Sequence, residues 1–297
     1  MRRRLAAIAV AVVALAALAV LAPDAALAHG ISGREDLPIP RWLFSWAAAV
    51  VLVVSFVALA TLWPRPRLEH APERRVLRVP AVLEVLCGAL GVAAFAFVVY
   101  AGFAGTQSAT ANLAPTVVFV VFWVGIPFVT LLLGDVFAAF SPWRATARAA
   151  GWLAARVGAR PPAPLAYPER LGHWPAAVGI LAFAWVELGY VNRDDPSTLA
   201  VLALLYAAAQ LVGISLYGVD AWTQRADAFG AAFGLYARLA PLHWRERALF
   251  VRAPLSGAPR LLAGAGTAAL LAALLGTTSF DGFSNTELWS SDHRSSQ

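Results

Sequence analysis

Apolar residues along this chain fall into runs of about twenty, separated by stretches where arginine, proline and glycine collect. A helix rises about 1.5 Å per residue, so such a run crosses the roughly 30 Å hydrocarbon core of a bilayer. Six runs follow one another, at about 42–63, 81–105, 116–134, 173–192, 199–218 and 261–278. The pattern predicts an all-α fold: a polytopic transmembrane helical bundle of about six spans, with residues 29–297 as one domain.

Residues 1–28 have the pattern of a secretory signal peptide. Arg2, Arg3 and Arg4 form a basic start, Leu5 to Leu21 an apolar middle, and Ala26-Leu27-Ala28 a small-residue cleavage site. Cleavage there makes His29 the mature N-terminus, outside the cytoplasmic membrane; an uncleaved anchor is the alternative. With residue 29 outside, the segments 64–81, 135–172 and 219–260 lie inside and carry sixteen arginines, against four in the outer segments. This asymmetry follows the positive-inside rule and agrees with the side set by the signal peptide.

Two inner segments are amphipathic. Trp222, Ala226, Phe229, Phe233 and Tyr236 recur at spacings of four and three, which predicts one helical face, with Gln224, Arg225, Asp227 and Arg238 on a more polar side. Residues 143–157, with Trp143, Arg144, Arg148, Trp152 and Arg156, suggest the same. Both are expected as helices in the cytoplasmic-side interface or packed beneath the bundle. A faint echo links Asp135-Val-Phe-Ala-Ala-Phe140 with Asp227-Ala-Phe-Gly-Ala-Ala-Phe233.

Composition supports the class. Hydrophobic residues make up 60% and charged residues 13% of the chain, where a soluble domain has about a quarter charged. The net charge of +6 comes from 23 arginines placed between apolar runs, without the basic stripe that nucleic acid requires. The implied partner is the lipid bilayer. Cys87 is the single cysteine, so neither an intrachain disulfide nor a Cys-rich metal site can form.

Ionisable groups inside a bilayer are costly, and each is a functional candidate. Glu187 lies near the outer end of span four and is a candidate catalytic acid–base or proton carrier; a structural hydrogen bond is the alternative. Near the outer surface lie His29, Glu35, Asp36, Asp194, Asp195 and Asp281. Carboxylates with a histidine can hold a divalent metal or polarise water. Asp194-Asp195-Pro196 is equally a helix start, and Asp281-Gly282 a turn. His29, as a free terminus, can chelate copper through its amine and imidazole. Glu84, Asp135 and Asp220 sit at inner span ends, where pairing with arginine is expected. Pro127 is placed to kink span three, and Gln210 to bond across the bundle. No phosphate-binding loop, Gly-x-Ser-x-Gly or His-Glu-x-x-His motif is present.

Three blocks carry a family likeness: Ala28-His-Gly-Ile-Ser-Gly-Arg-Glu-Asp-Leu-Pro-Ile-Pro-Arg-Trp-Leu-Phe44, Gly134-Asp-Val-Phe-Ala-Ala-Phe-Ser-Pro-Trp-Arg144 and Thr277-Thr-Ser-Phe-Asp-Gly-Phe-Ser284. Together they resemble a bacterial integral-membrane family described as fenitrothion hydrolase. The resemblance implies hydrolysis of organophosphate triesters at the membrane, a second, related membrane subunit as partner, and relatives that continue with further spans. On the residues alone, catalysis is expected at Glu187, Asp281 or Asp195. Two other functions stay open: a transporter or permease-like bundle with Glu187 and the Pro127 kink on its path, and a periplasm-facing copper-handling protein using His29.

Overall fold

The computed structural model describes residues 41–62, 68–69, 71–159 and 162–284. The signal segment 1–28, His29 and the polar tail after Ser284 lie outside the described residues. The chain divides into two units, Met1–Pro66 and Arg67–Gln297. The first contributes helix α1 (Arg41–Leu62), which coincides with the first apolar run.

The second unit is a helical bundle with a small sheet at one end. Helices α2 (Ala81–Ala104), α3 (Leu113–Leu133) and α7 (Pro196–Tyr217) are each long and apolar enough to cross a membrane. Helix α6 (Trp174–Gly189) is shorter, and α10 (Ala265–Ser284) closes the described chain. Their outward faces are apolar: Phe97, Tyr100, Phe128 and Leu205 are among many large hydrophobic side chains left exposed. Exposed apolar area on this scale marks a surface that lipid or protein covers.

Helix α3 is π-helical over Thr116–Gly125 and α-helical from Ile126. Pro127 supplies the physical reason. It has no N–H to return to the preceding turn, and the ladder upstream widens, so that Ile126 N–H reaches the carbonyl of Val121. The expected kink takes the form of a π stretch.

The strands were not expected from an all-α pattern. β1 (Arg74–Arg78) pairs antiparallel with β3 (Ala248–Val251), which pairs with β2 (Leu242–Arg245), giving the order β1-β3-β2. Each is four or five residues long, too short to give a periodicity signal beside the apolar runs. Glu246 and Arg247, both at positive φ, make the two-residue turn between β2 and β3. The Trp244 indole N–H donates to the carbonyl of Leu133, which ties the sheet to the end of α3.

The two amphipathic segments fold as parts of helical hairpins packed against the bundle helices. After α3 the chain turns at Gly134, where φ is 83°. It climbs back through α4 (Val136–Phe140) until the Phe140 carbonyl lies against Gly91 of α2. It turns at Ser141-Pro142 and descends as α5 (Pro142–Arg156), past Phe95 at Trp143 and down to an Arg148–Glu84 ion pair near the start of α2. A second hairpin follows α7. The chain turns at Gly218, φ 85°, and climbs α7 as α8 (Val219–Arg225), with Trp222 donating to Gln210. It breaks at Ala226-Asp227 and descends as α9 (Ala228–Ala237). The single amphipathic helix read over 220–240 is therefore two helices. Asp227, placed on its polar side, is fully buried at the break.

Two hairpins, each preceded by two helices, make an internal repeat: α2, α3 and α4–α5, then α6, α7 and α8–α9. Helix α5 lies on α2 at Ala145 and Gly88, and α9 lies on α6 at Ala228 and Gly179. Helix α2 meets α7 where Gly102 faces Ala200, while Phe119 and Trp123 of α3 meet Phe183 of α6.

Candidate functional site

The hairpin tips meet at the centre of the second unit. Both descending helices begin there, with their positive N-terminal ends converging. Ser141 caps α5, its hydroxyl accepting from the Arg144 N–H. Asp227 caps α9, one carboxylate oxygen accepting from the Phe229 N–H at 3.2 Å. The Trp143 indole N–H donates to Asp227 Oδ2 at 2.7 Å, and the Tyr206 hydroxyl donates to Oδ1 at 2.6 Å. Tyr206 lies halfway along α7, so this carboxylate lies at mid-depth of the bundle.

The first tip also grips the second through Arg144. Its guanidinium donates to the Thr223 hydroxyl and, at 2.7 Å, to Asp220. All three of these bonds run from donors on α5 to acceptors on the second hairpin. The pairing of Asp220 with an arginine, like that of Glu84, is as the sequence suggested.

Aromatic rings pack around the junction. Phe122 of α3 lies 5.5, 4.7 and 5.6 Å from Phe137, Phe229 and Phe233, all near edge-on. Such pairs add roughly 0.5–1.5 kcal/mol each beyond area burial. The echo between Asp135–Phe140 and Asp227–Phe233 thus joins segments that touch, through Phe137 and Phe233 at 5.3 Å. Their aspartates differ in place: Asp135 caps α4 at the base of the first hairpin, Asp227 caps α9 at the tip of the second. Burial raises the Asp135 carboxyl above its usual range, opposed by the Ala138 N–H and the Arg144 charge.

A second group lies at the bundle end away from the sheet. Helices α6 and α10 run parallel. At their starts His173 Nδ1 pairs with the Thr267 hydroxyl at 3.0 Å, 94 residues apart. The same separation places Glu187 and Asp281 at matching levels further along the two helices, close enough for the Asp281 charge to act on Glu187. Arg193 is close by, its guanidinium donating to the Glu187 carbonyl at 2.9 Å and facing Asp194 at 3.6 Å. Asp195 does not join them. Its carboxylate caps α7, accepting from the Ser197 hydroxyl and the Thr198 N–H, both at 2.7 Å. These bonds hold its carboxyl below the usual range.

Of the expected site residues, then, Glu187 and Asp281 lie at matching levels on the parallel helices α6 and α10, Asp195 is a helix cap, and His29 lies outside the described residues. Among the described residues no three His, Cys, Asp or Glu side chains converge to hold a metal ion. A groove of about 420 Å³ between α2 and α7, bordered by Phe95, Tyr100, Phe103 and Leu204, is apolar and carries no reacting group. The Trp143–Asp227–Tyr206 junction was missed from the sequence. The available signals were two cap-and-start patterns, Ser141-Pro142-Trp143 at the start of the 143–157 segment and Asp227-Ala228-Phe229 inside the segment read as one helix over 220–240. Comparison with family models, curated proteins and solved structures found no match.

Proposed function

We propose that the chain is a six-span protein of the cytoplasmic membrane that moves a solute in exchange or symport with protons. The observation behind this reading is the pair of helical hairpins whose tips meet at mid-bundle. Helices broken within the membrane, with their N-terminal ends facing a central point, are a recurrent arrangement of transport sites, and internal repeats accompany them. The hairpins enter from the arginine-rich end, which the charge asymmetry makes the cytoplasmic side. Glu187, toward the other end, is suited to pass protons between the outer surface and the bundle.

The test uses purified full-length chain in liposomes with an entrapped pH-sensitive dye and an imposed membrane potential. Proton entry above that of empty liposomes, reduced in Glu187→Gln, is the expected result. Wild-type entry equal to that of empty liposomes would end the transport reading.

A second reading is favoured by the Glu187–Asp281 pair and by the family resemblance: hydrolysis of an organophosphate triester at the outer surface. Here one carboxylate takes a proton from water as it attacks phosphorus. The Arg193 guanidinium stabilises charge on the phosphoryl oxygen, and the phenolate leaves. A related membrane subunit completes the enzyme. Washed membranes containing the chain should then release nitrophenol from a nitrophenyl thiophosphate triester, and Glu187→Gln should remove that release. Release no greater than from membranes lacking the chain, with and without the related subunit, would exclude it.

A further inference from the structure

Four arginines at the inner end of the bundle find carboxylates: Arg144 pairs with Asp220, Arg148 with Glu84, and Arg252 and Arg260 with Glu73. Arg225 and Arg238 do not: neither forms an ion pair among the described residues. Arg225 ends α8 with its guanidinium 5.5 Å from the centre of the Tyr167 ring. Arg238 follows α9 and is half-buried. The carbonyls at the end of α9, which a cation there would neutralise, are already taken by Arg252. Yet the charges of Arg225 and Arg238 both act on one imidazole, that of His173 at the start of α6. The His173 ring is held by the Thr267 hydroxyl and faces the Gln224 carbonyl, so the two guanidiniums are the open donors.

Depth makes this uncompensated charge costly. Trp222 of α8 donates to Gln210, which lies seven residues before the end of α7 at Tyr217. At helical rise that is about 10 Å from the inner end of α7 toward the bundle centre. Arg225 lies almost a turn beyond Trp222, and its side chain is exposed. An arginine at that level needs an anion or a water-filled recess. Two arginines beside one imidazole, with no carboxylate paired to either, favour the anion.

We propose that Arg225 and Arg238 together bind a phosphate-type anion beside His173, reached from the cytoplasmic side. A carboxylate is satisfied by one guanidinium fork, whereas a phosphate has oxygens for two. The Tyr167 hydroxyl donates to the Gly172 carbonyl, so it is the ring that Arg225 meets, and it forms one wall of the site. Two sources carry this chemistry: the phosphodiester of an anionic phospholipid in the inner leaflet, and free phosphate in the cytoplasm. The site rests on the membrane placement of α7 and not on proton transport.

The test uses the full chain and two probes, inorganic phosphate and phosphatidylglycerol. In the first arm the chain is held in nanodiscs of phosphatidylcholine and titrated with inorganic phosphate by calorimetry. In the second, native mass spectrometry compares the phosphatidylglycerol and phosphatidylcholine retained from an equal mixture. Wild type is expected to bind in at least one arm: the first identifies a free anion, the second a lipid head group, and both together a site open to either. Arg225→Gln combined with Arg238→Gln should weaken that binding about tenfold, a loss of about 1.4 kcal/mol. Arg156→Gln, which removes an exposed arginine stacked on Trp152, should leave it unchanged. Arg225→Gln alone, at an exposed position, decides the matter if the double variant does not fold. No wild-type binding in either arm, binding undiminished in the arginine variants, or an equal loss in Arg156→Gln would overturn the proposal. Binding without proton flux in liposomes would sink the transport reading and leave the site; flux without binding would do the reverse.

Discussion

Gly213 lies directly beneath the indole of Trp222, so close that a Cβ at position 213 would stand 2.0 Å from the ring atom Cε2. This is where α8 rests on α7, and the Trp222 N–H bond to Gln210 fixes the ring there. Gly213→Ala is therefore expected to push the second hairpin away from α7. The cost should be about 1–3 kcal/mol, the usual range for overpacking. Thermal unfolding in detergent measures it. Gly234→Ala is the control: it lies in α9 with nothing within 4 Å of the added methyl, and is expected to be neutral or stabilising.

Arg252 holds the lower end of the second hairpin. Its guanidinium donates to the carbonyls of Ala237, Arg238 and Ala240 at 2.8–3.0 Å, where α9 ends. It is almost fully buried, and it supplements a helix end where the Ala237 carbonyl otherwise accepts only from the Ala240 N–H at 3.2 Å. Arg252→Gln should destabilise the fold by roughly 1.5–3 kcal/mol, the scale of hydrogen bonds from a charged donor. Arg252→Lys should recover little of it, because a single ammonium cannot span three carbonyls as a planar fork does. Denaturant midpoints of the three proteins would reveal a lysine rescue if one exists.

His243, on β2, gives the sheet a pH dependence. Burial pushes its pKa below the ordinary 6.5, assisted by the charges of Arg252, Arg245 and Arg260 and opposed by Glu73. The unfolded chain binds a proton at His243 near its ordinary pKa, while the folded chain binds it only at lower pH. The contribution to stability is thus complete above the ordinary value and is lost as pH falls through the folded one. Melting temperature should drop more steeply over that window in wild type than in His243→Gln. Parallel curves for the two would remove this histidine from the account.

Glu187 and Asp281 should act on one another. Replacing Asp281 by Asn removes a like charge from beside Glu187. Under either functional reading the pH profile of activity is expected to move in Asp281→Asn and to vanish with the activity in Glu187→Gln. The measurement is proton flux or nitrophenol release across pH. An unmoved profile in Asp281→Asn would mean that the two carboxylates work separately.

Three long apolar helices were legible because a membrane-crossing helix needs an unbroken apolar run, and the ends of α2, α3 and α7 fall within three residues of the positions read from the sequence. The hairpins were not. Phe229, Phe233 and Trp143 show helical spacing whether that face meets lipid headgroups or a protein core, and periodicity cannot tell the two apart. What decides it is Asp227: a carboxylate reads as surface until its donors are known, and two of them lie 84 and 21 residues away. The Glu187–Asp281 approach was likewise hidden, because it depends on α6 and α10 running parallel. That geometry is set at their other ends by His173 and Thr267.

The distance in sequence between Trp143 and Asp227 sets a schedule for making the protein. A ribosome adding about 5–20 residues per second needs roughly 4–17 s to pass from one to the other. Through that interval the first hairpin has emerged with its indole donor and its buried arginine, but without the acceptors that satisfy them. Insertion of α2 and α3 cannot by itself produce the finished first half. Ser141-Pro142-Trp143 lacks its partners until α7, α8 and Asp227 have been made. The two hairpins therefore reach their finished packing together, not in the order in which they are made.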